Sequence, residues 1–282
     1  MSISSLNWMM ITASPSVAKF AEEAGVHRIF VDMEVLGKAE RQGHIDTHKA
    51  HHTFADIARV REVLHHAELM VRINPLHEGS AGEVDLSIAN GAQRLMLPMF
   101  RRREEVRYFL DLVKGRVPVT LLTETPQALV RLPTYIPDLG GEDQIHIGLN
   151  DLSLGLGLDF LFEPVAAGLL DPVAELLQKQ RITWGFGGIA RIGTGSLPAE
   201  LVLSEHIRLQ SNWVILSRAF HGGATSIQAL NNHIHLPVEL AKLRGTEQSL
   251  RSATTQTLLE NRDYFITKTF ALAEEKAALL TR

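Results

Sequence analysis

The sequence predicts an α/β protein, a closed (β/α)8 TIM barrel with a C-terminal helical extension, and three observations predict it. Short apolar runs alternate with amphipathic stretches, the pattern of strands joined by crossover helices. The strand runs are almost continuously hydrophobic, as a strand buried on both faces requires. Eight such runs precede residue 221 and none follows it, which favours a closed parallel barrel over an open sheet in a chain of 282 residues. The barrel is placed at 1–221 and the extension at 222–282.

The predicted strands are Asn7–Thr12, Arg28–Asp32, Leu69–Ile73, Arg94–Leu97, Val117–Thr123, Gln144–Ile147, Ile182–Gly185 and Trp213–Leu216. After the first strand, Ser14 offers an N-cap and Pro15 the first helical position, ahead of Val17, Phe20 and Ala21, and Gly25 closes the helix. Thr53 to Asp56 opens another helix, with Ile57, Val60, Val63 and Leu64 on its inner face. Glu83–Asn90 runs into Gly91-Ala92, a usual exit from helix to strand. Arg101-Arg102-Arg103 followed by Glu104-Glu105 reads as a solvated helix start with acids in its first turn. Trp8, Trp184 and Trp213 fall in strands and belong to the core. Beyond His221 the chain reads as helices at Thr225–Ile234, Pro237–Leu243 and a long stretch through Leu279. The stripes Leu258-Leu259, Phe265-Ile266 and Phe270 are hard to bury on a barrel alone. Packing against another subunit, in a homo-oligomer, is expected.

Composition excludes several classes of function. With 45% hydrophobic and 21% charged residues the chain can build a full core. A net charge of −4 with scattered basic residues suggests neither nucleic acid nor an anionic membrane as partner. The lack of cysteine removes disulfides, thiolate metal sites and cysteine nucleophiles together. The first residues, MSISSLNWMMITASPS, lack a basic n-region, and no apolar run approaches the roughly 20 residues that span a bilayer, so a cytoplasmic protein is expected.

Barrels of this kind act at the C-terminal ends of their strands. The polar residues there are Asp32 and Glu34 after the second strand, Arg72 and Asn74 at the third, and Glu124 after the fifth. Gly148, Asn150 and Asp151 follow the sixth, and Ser217-Arg218 the eighth. Glu124 and Asp151 belong to consecutive strands, about 4.8 Å apart. Carboxylates so placed raise each other's pKa unless a proton or cation lies between them. A hard divalent ion satisfies them with two protein ligands and leaves positions for water and a chelating substrate. Alternatively, each caps a helix or pairs with an arginine. Arg72, ending the apolar run Leu69-Met70-Val71, either pairs with a structural acid or points its fork at an anionic ligand.

Four segments occur in order: Val71-Arg72-Ile73-Asn74-Pro75, Met96-Leu97-Pro98-Met99, Leu122-Thr123-Glu124-Thr125-Pro126-Gln127-Ala128-Leu129 and Ile147-Gly148-Leu149-Asn150-Asp151-Leu152-Ser153. They resemble the arginine strand, the (L/I)P(K/M) strand, the E-(T/S)-x-x-(A/G) metal strand and the G-x-x-D-L metal loop of the HpcH/HpaI family, over about Phe30 to Phe220. That family includes class II pyruvate aldolases and citrate lyase β-like acyl-CoA lyases. The resemblance implies that Glu124 and Asp151 bind Mg2+, or Mn2+ or Co2+, and that Arg72 contacts the keto or enolate oxygen. It also implies that backbone N–H groups near Asn150 and Asp151 hold the carboxylate of a 2-oxo acid.

The chain departs from that pattern at the base. Family aldolases carry Asp-x-Glu-His after the second strand, whereas here Asp32-Met33-Glu34-Val35 has no histidine. Proton transfer is therefore either absent or falls to another group: Asp32, or a histidine of the polar segment Lys38 to Thr53, which holds His44, His48, His51 and His52. His52 and His48 are the candidates, against a solvated loop as the alternative, and Glu34 is a candidate for supporting the metal ligands.

Gly185-Phe186-Gly187-Gly188-Ile189-Ala190 fits a nominal dinucleotide pattern, but the glycines and proline that follow make a loop and not a helix. Exposed N–H groups of Gly187 and Gly188, with Arg191, could instead hold a phosphate or carboxylate of a second substrate; glycines serving turns only are the alternative. The reading is a metal-dependent aldolase acting on a pyruvate-like 2-oxo acid and an aldehyde. The alternatives are an acyl-CoA lyase of citrate lyase β-like type and a barrel that binds an oxo acid without catalysis.

Overall fold

All eight expected strands form, and their register closes the sheet. The protein is described by a computed structural model covering residues 5–37 and 52–280. The strands are β1 (Asn7–Ile11), β2 (Arg28–Asp32), β3 (Glu68–Arg72), β4 (Arg94–Leu97), β5 (Val119–Thr123), β6 (Gln144–Ile147), β7 (Thr183–Ile189) and β8 (Trp213–Leu216). Each pairs in parallel with the next, and β8 pairs with β1.

Strand side chains alternate between the two faces. Outward residues such as Ile29, Val31, Leu69, Val71, Leu95 and Leu121 join the helices in the main core. Inward residues Met9, Phe30, Met70, Met96 and Leu122 fill the waist of the barrel. Beneath them a polar layer closes the N-terminal end. Arg28 donates to Glu68 (2.5 Å) and Gln144 (3.0 Å), Arg94 donates to Glu68 (2.9 Å), and the Arg28 guanidinium lies 3.7 Å from the Trp213 ring centroid. An apolar waist above this polar floor fills the barrel interior below its C-terminal rim.

The helices used below are α1 (Pro15–Glu23), α2 (Phe54–Val63), α3 (Ser80–Ala89), α4 (Arg103–Val113), α5 (Pro126–Val130), α6 (Leu132–Tyr135), α7 (Leu149–Leu156), α8 (Glu163–Ala166), α9 (Asp171–Lys179), α10 (Ala199–Arg208), α11 (Ile227–His233), α12 (Leu236–Arg251) and α13 (Thr255–Leu280). Ser14 caps α1 through its hydroxyl, with Pro15 at the first helical position. Asp56 accepts from the Thr53 N–H at 2.7 Å, completing the start of α2. Among the described residues no helix is long and apolar enough to cross a membrane.

One expectation is corrected here. The chain Phe186-Gly187-Gly188-Ile189 is not a loop but the second half of β7, with a register shift against β8 between Gly185 and Gly188. A Cβ on Gly185 would lie 2.1 Å from the Trp213 carbonyl oxygen, and one on Gly187 would lie 2.8 Å from Leu149 Cδ1. These glycines serve close backbone approach at a bulge.

The extension is also less unpartnered than its stripes suggest. Phe265 is fully buried, edge-on to Phe162 of the barrel with centroids 6.0 Å apart, and Ile266 packs against the same core. Glu247 of α12 accepts the Leu6 N–H at 2.7 Å and pairs with Arg244 and Arg251, tying the extension to the entry of β1. Arg262 of α13 reaches buried Glu205 at 2.8 Å. Leu259, Tyr264 and Phe270 remain 52%, 56% and 39% exposed.

Candidate active site

Glu124 is the residue between the end of β5 and the Thr125 N-cap of α5, with Pro126 at the first helical position. The turn is fixed from both sides. Thr125 Oγ1 donates to the Phe100 carbonyl (2.8 Å) and accepts the Ala128 N–H (3.1 Å), and Thr123 Oγ1 lies 3.0 Å from the Tyr135 hydroxyl. The carboxyl so placed is buried and accepts the Met99 N–H at 3.1 Å. Met99 follows β4 in a left-handed conformation, φ +57°, which costs a non-glycine residue energy and aims its N–H at the rim.

Burial pushes the Glu124 carboxyl up to about 8. Arg72 opposes this, while the charges of Asp151 and Glu34 reinforce it. Asp151 is the third residue of α7, with Gly148 as its N-cap, so the expected metal loop is the first turn of a helix. Glycine is required at 148, because a Cβ there would meet Glu124 Cβ at 2.7 Å and Oε2 at 2.8 Å. That lets β6 and Glu124 approach closely. The N–H groups of Leu149 and exposed Asn150 precede the first helical bond of this helix, Leu152 N–H to the Gly148 carbonyl.

Opposite stands Arg72, the last residue of β3. Its Nε and Nη2 fork onto Asp32 at 2.9 and 2.8 Å, and Nη2 reaches Glu34 at 3.2 Å. Asp32 and Glu34 hold the guanidinium charge firmly, so its pKa is raised despite burial. The fork of Arg72 is thus paired with acids of the chain itself, and Glu124 adds a further favourable charge. Asp32 is thereby engaged as the partner of Arg72. Nη1 makes no hydrogen bond to a described residue.

His52 lies beside Asp32, its Nδ1 2.8 Å from the Asp32 carbonyl oxygen. A carbonyl only accepts, so Nδ1 carries a proton, and in the neutral ring the lone pair is on Nε2. His44, His48 and His51 lie outside the described residues. Gly187 turns its carbonyl toward His146 Nε2 (3.2 Å) and Gly188 pairs with Ile215, so both belong to the strand and not to the loop, which begins at Ala190. Arg191 lies in that loop, and its buried Nε has no hydrogen-bond acceptor.

The rim therefore brings together Asp32, Glu34, Arg72, Glu124 and Asp151, with His52 beside them. No group of three or more His, Asp or Glu side chains able to hold a metal occurs among the described residues, so a cation here would rest on two carboxylates, as Mg2+ often does. A cavity of about 310 Å³, lined by Ile136, Asp143 and Arg181, opens on the loops before β6 and β7, at the opposite end from these groups. Sequence reasoning missed the Met99 N–H. Only the positive φ betrays it, and no residue pattern encodes that.

No family model matches the sequence, and no curated protein matches it either. Solved structures do. An HpcH/HpaI aldolase from Desulfitobacterium hafniense DCB-2 superposes with a TM-score of 0.59 at 16% identity, over 90% of this chain and 95% of that one. An HpcH/HpaI aldolase/citrate lyase family protein from Burkholderia cenocepacia J2315 gives 0.59 at 15% identity, over 89% and 96%. The chain shares their fold. At this identity the likeness is one of fold alone, over most of both proteins, and the chemistry rests on the rim itself.

Proposed function

We propose that this barrel is a divalent-metal-dependent carbon–carbon lyase of the class II aldolase type, forming or cleaving the bond between a pyruvate-like 2-oxo acid and an aldehyde. One observation carries the reading: a buried carboxyl at the mouth, Glu124, driven up to about 8 by desolvation with two further acids close by. A hard cation shared with Asp151 offsets that cost, and the donor set, two carboxylates and no thiolate or imidazole, suits Mg2+, Mn2+ or Co2+. When bound, the cation supplies Lewis-acid polarisation of the substrate carbonyl. The two similar barrels, both named for HpcH/HpaI aldolases, agree with this class of reaction.

The chain's own groups divide the remaining work. The Leu149 and Asn150 N–H groups, at the start of α7, suit the carboxylate of the 2-oxo acid. Asp32 and Glu34 engage two nitrogens of Arg72, so Nη1 is the donor left for the oxo oxygen, where negative charge develops. In the cleavage direction a base takes the proton of the C4 hydroxyl, and the C3–C4 electron pair passes to the 2-oxo acid fragment. The aldehyde then leaves, and C3 regains a proton. His52 Nε2 is the base we assign, because Nδ1 is committed to Asp32. Arg191, with an unsatisfied buried donor on the loop after β7, suits a carboxylate or phosphate on the aldehyde.

The test is release of pyruvate from a 4-hydroxy-2-oxo acid, followed by reduction of the pyruvate with NADH. Release that requires Mg2+ and stops with EDTA supports the reading. No release with Mg2+, Mn2+ or Co2+ across such substrates overturns it.

A further inference from the structure

Behind the rim runs a chain of hydrogen bonds that the chemistry above does not use. His77 accepts the Gly79 N–H at Nδ1 (3.1 Å), which places its proton on Nε2, and Nε2 donates to Glu83 Oε2 (3.1 Å). Glu83, largely buried on the first turn of α3, takes two more donors at Oε1: the Asn74 backbone N–H (3.0 Å) and side-chain Nδ2 (2.8 Å). With Nδ2 so committed, the amide can face only one way. Its Oδ1 accepts the N–H groups of Val35 (2.9 Å) and Leu36 (3.0 Å). Val35 and Leu36 end the stretch that begins with Asp32, and Asn74 is two residues beyond Arg72. The same stretch is pinned by the Met33 N–H on the Arg72 carbonyl (2.9 Å) and the Glu34 N–H on Asp32 Oδ1 (3.2 Å).

We propose that His77, Glu83 and Asn74 form a positioning relay that holds the chain after β2 across the end of β3 and so sets the Asp32/Glu34 clamp on Arg72. None of the three touches the reacting atoms in this scheme. They act through the clamp, by removing the freedom of residues 33–36 to swing away and release the guanidinium. The consequence for turnover rests on the lyase reading, whereas the positioning itself does not.

The experiment follows Arg72 directly, by nitrogen-15 NMR of the Arg72 Nε–H and of the Val35 and Leu36 amides in the full chain. In Asn74→Ala, which removes the acceptor of both amides, hydrogen exchange at all three sites should accelerate about thirtyfold, as expected for two lost hydrogen bonds. The kcat for pyruvate release should fall about tenfold or more while KM changes less than threefold. His77→Gln, which keeps a donor for Glu83, should behave as wild type. His77→Leu should accelerate exchange about fivefold and, as a milder change, decides the matter if Asn74→Ala does not fold. Faster exchange at Val35 and Leu36 with Arg72 Nε–H unchanged would overturn the relay, leaving a local cap, and so would equal behaviour of the Gln and Leu variants. If wild type shows no metal-dependent turnover, the lyase reading fails while Arg72 Nε–H exchange still decides the relay.

Discussion

At Glu124, burial and two neighbouring acids act in one direction and Arg72 in the other, and the carboxyl ends at about 8 instead of near 4.5. A folded-state pKa above the unfolded one stabilises the fold at low pH, and that contribution is lost as pH rises from 4.5 through 8. Metal-free protein should therefore melt lower at pH 9 than a Glu124→Gln variant, which keeps the acceptor for the Met99 N–H without the charge. Adding Mg2+ should raise the melting temperature of wild type by several degrees and leave the variant unmoved, as thermal denaturation in both states will show. Glu124, Asp151 and Arg72 were legible in the sequence because each is a charge just past an apolar run. Their partners were not: that Asp32 faces Arg72 follows from the pairing of β2 with β3 in register Asp32↔Arg72. Asn74 and Glu83 look like ordinary polar residues until the loop folds back on them.

Element by element, the strands and most helices followed from alternation and caps, as at Ser14-Pro15 and Thr53–Asp56. The β7 segment did not, because a run of glycines signals a turn unless something else demands the missing side chains. Here the demand comes from β8 and α7, which no local pattern reports. Two substitutions separate the uses of glycine. Gly185→Ala drives a Cβ into the Trp213 backbone and should cost about 3 kcal/mol or more, measured by urea unfolding. Gly148→Ala drives one into the Glu124 side chain, so it should weaken Mn2+ binding at least tenfold while costing less stability, measured by electron paramagnetic resonance titration. In the extension, the sequence displayed the apolar stripe of α13 without revealing which of its residues faces the barrel. Phe265 does, whereas Phe270 does not.

For the molecule as a whole, two buried histidines set a limit on the acid side. Desolvation lowers His146 to about 4 and His206, stacked on Phe186 at 3.8 Å, to about 3. Lowered histidine values mean that the unfolded chain takes up protons the fold refuses, so stability is lost as pH falls below 6.5 toward 4. His146→Gln should flatten part of that loss, seen as a smaller drop in melting temperature between pH 6.5 and 4. Exposed Leu259, Tyr264 and Phe270 on α13 lead us to propose self-association. Light scattering should give a multiple of the chain mass, and Phe270→Asp should reduce it. The fold thus delivers a rim of four acids around one arginine, and the chemistry turns on whether a cation completes it. Proton NMR of pyruvate in deuterated water measures this, through loss of the C3 methyl signal. Exchange should proceed in wild type with Mg2+ and cease with EDTA, in Glu124→Gln and in Asp151→Asn; exchange that persists unchanged through all three would contradict a metal held by these two carboxylates.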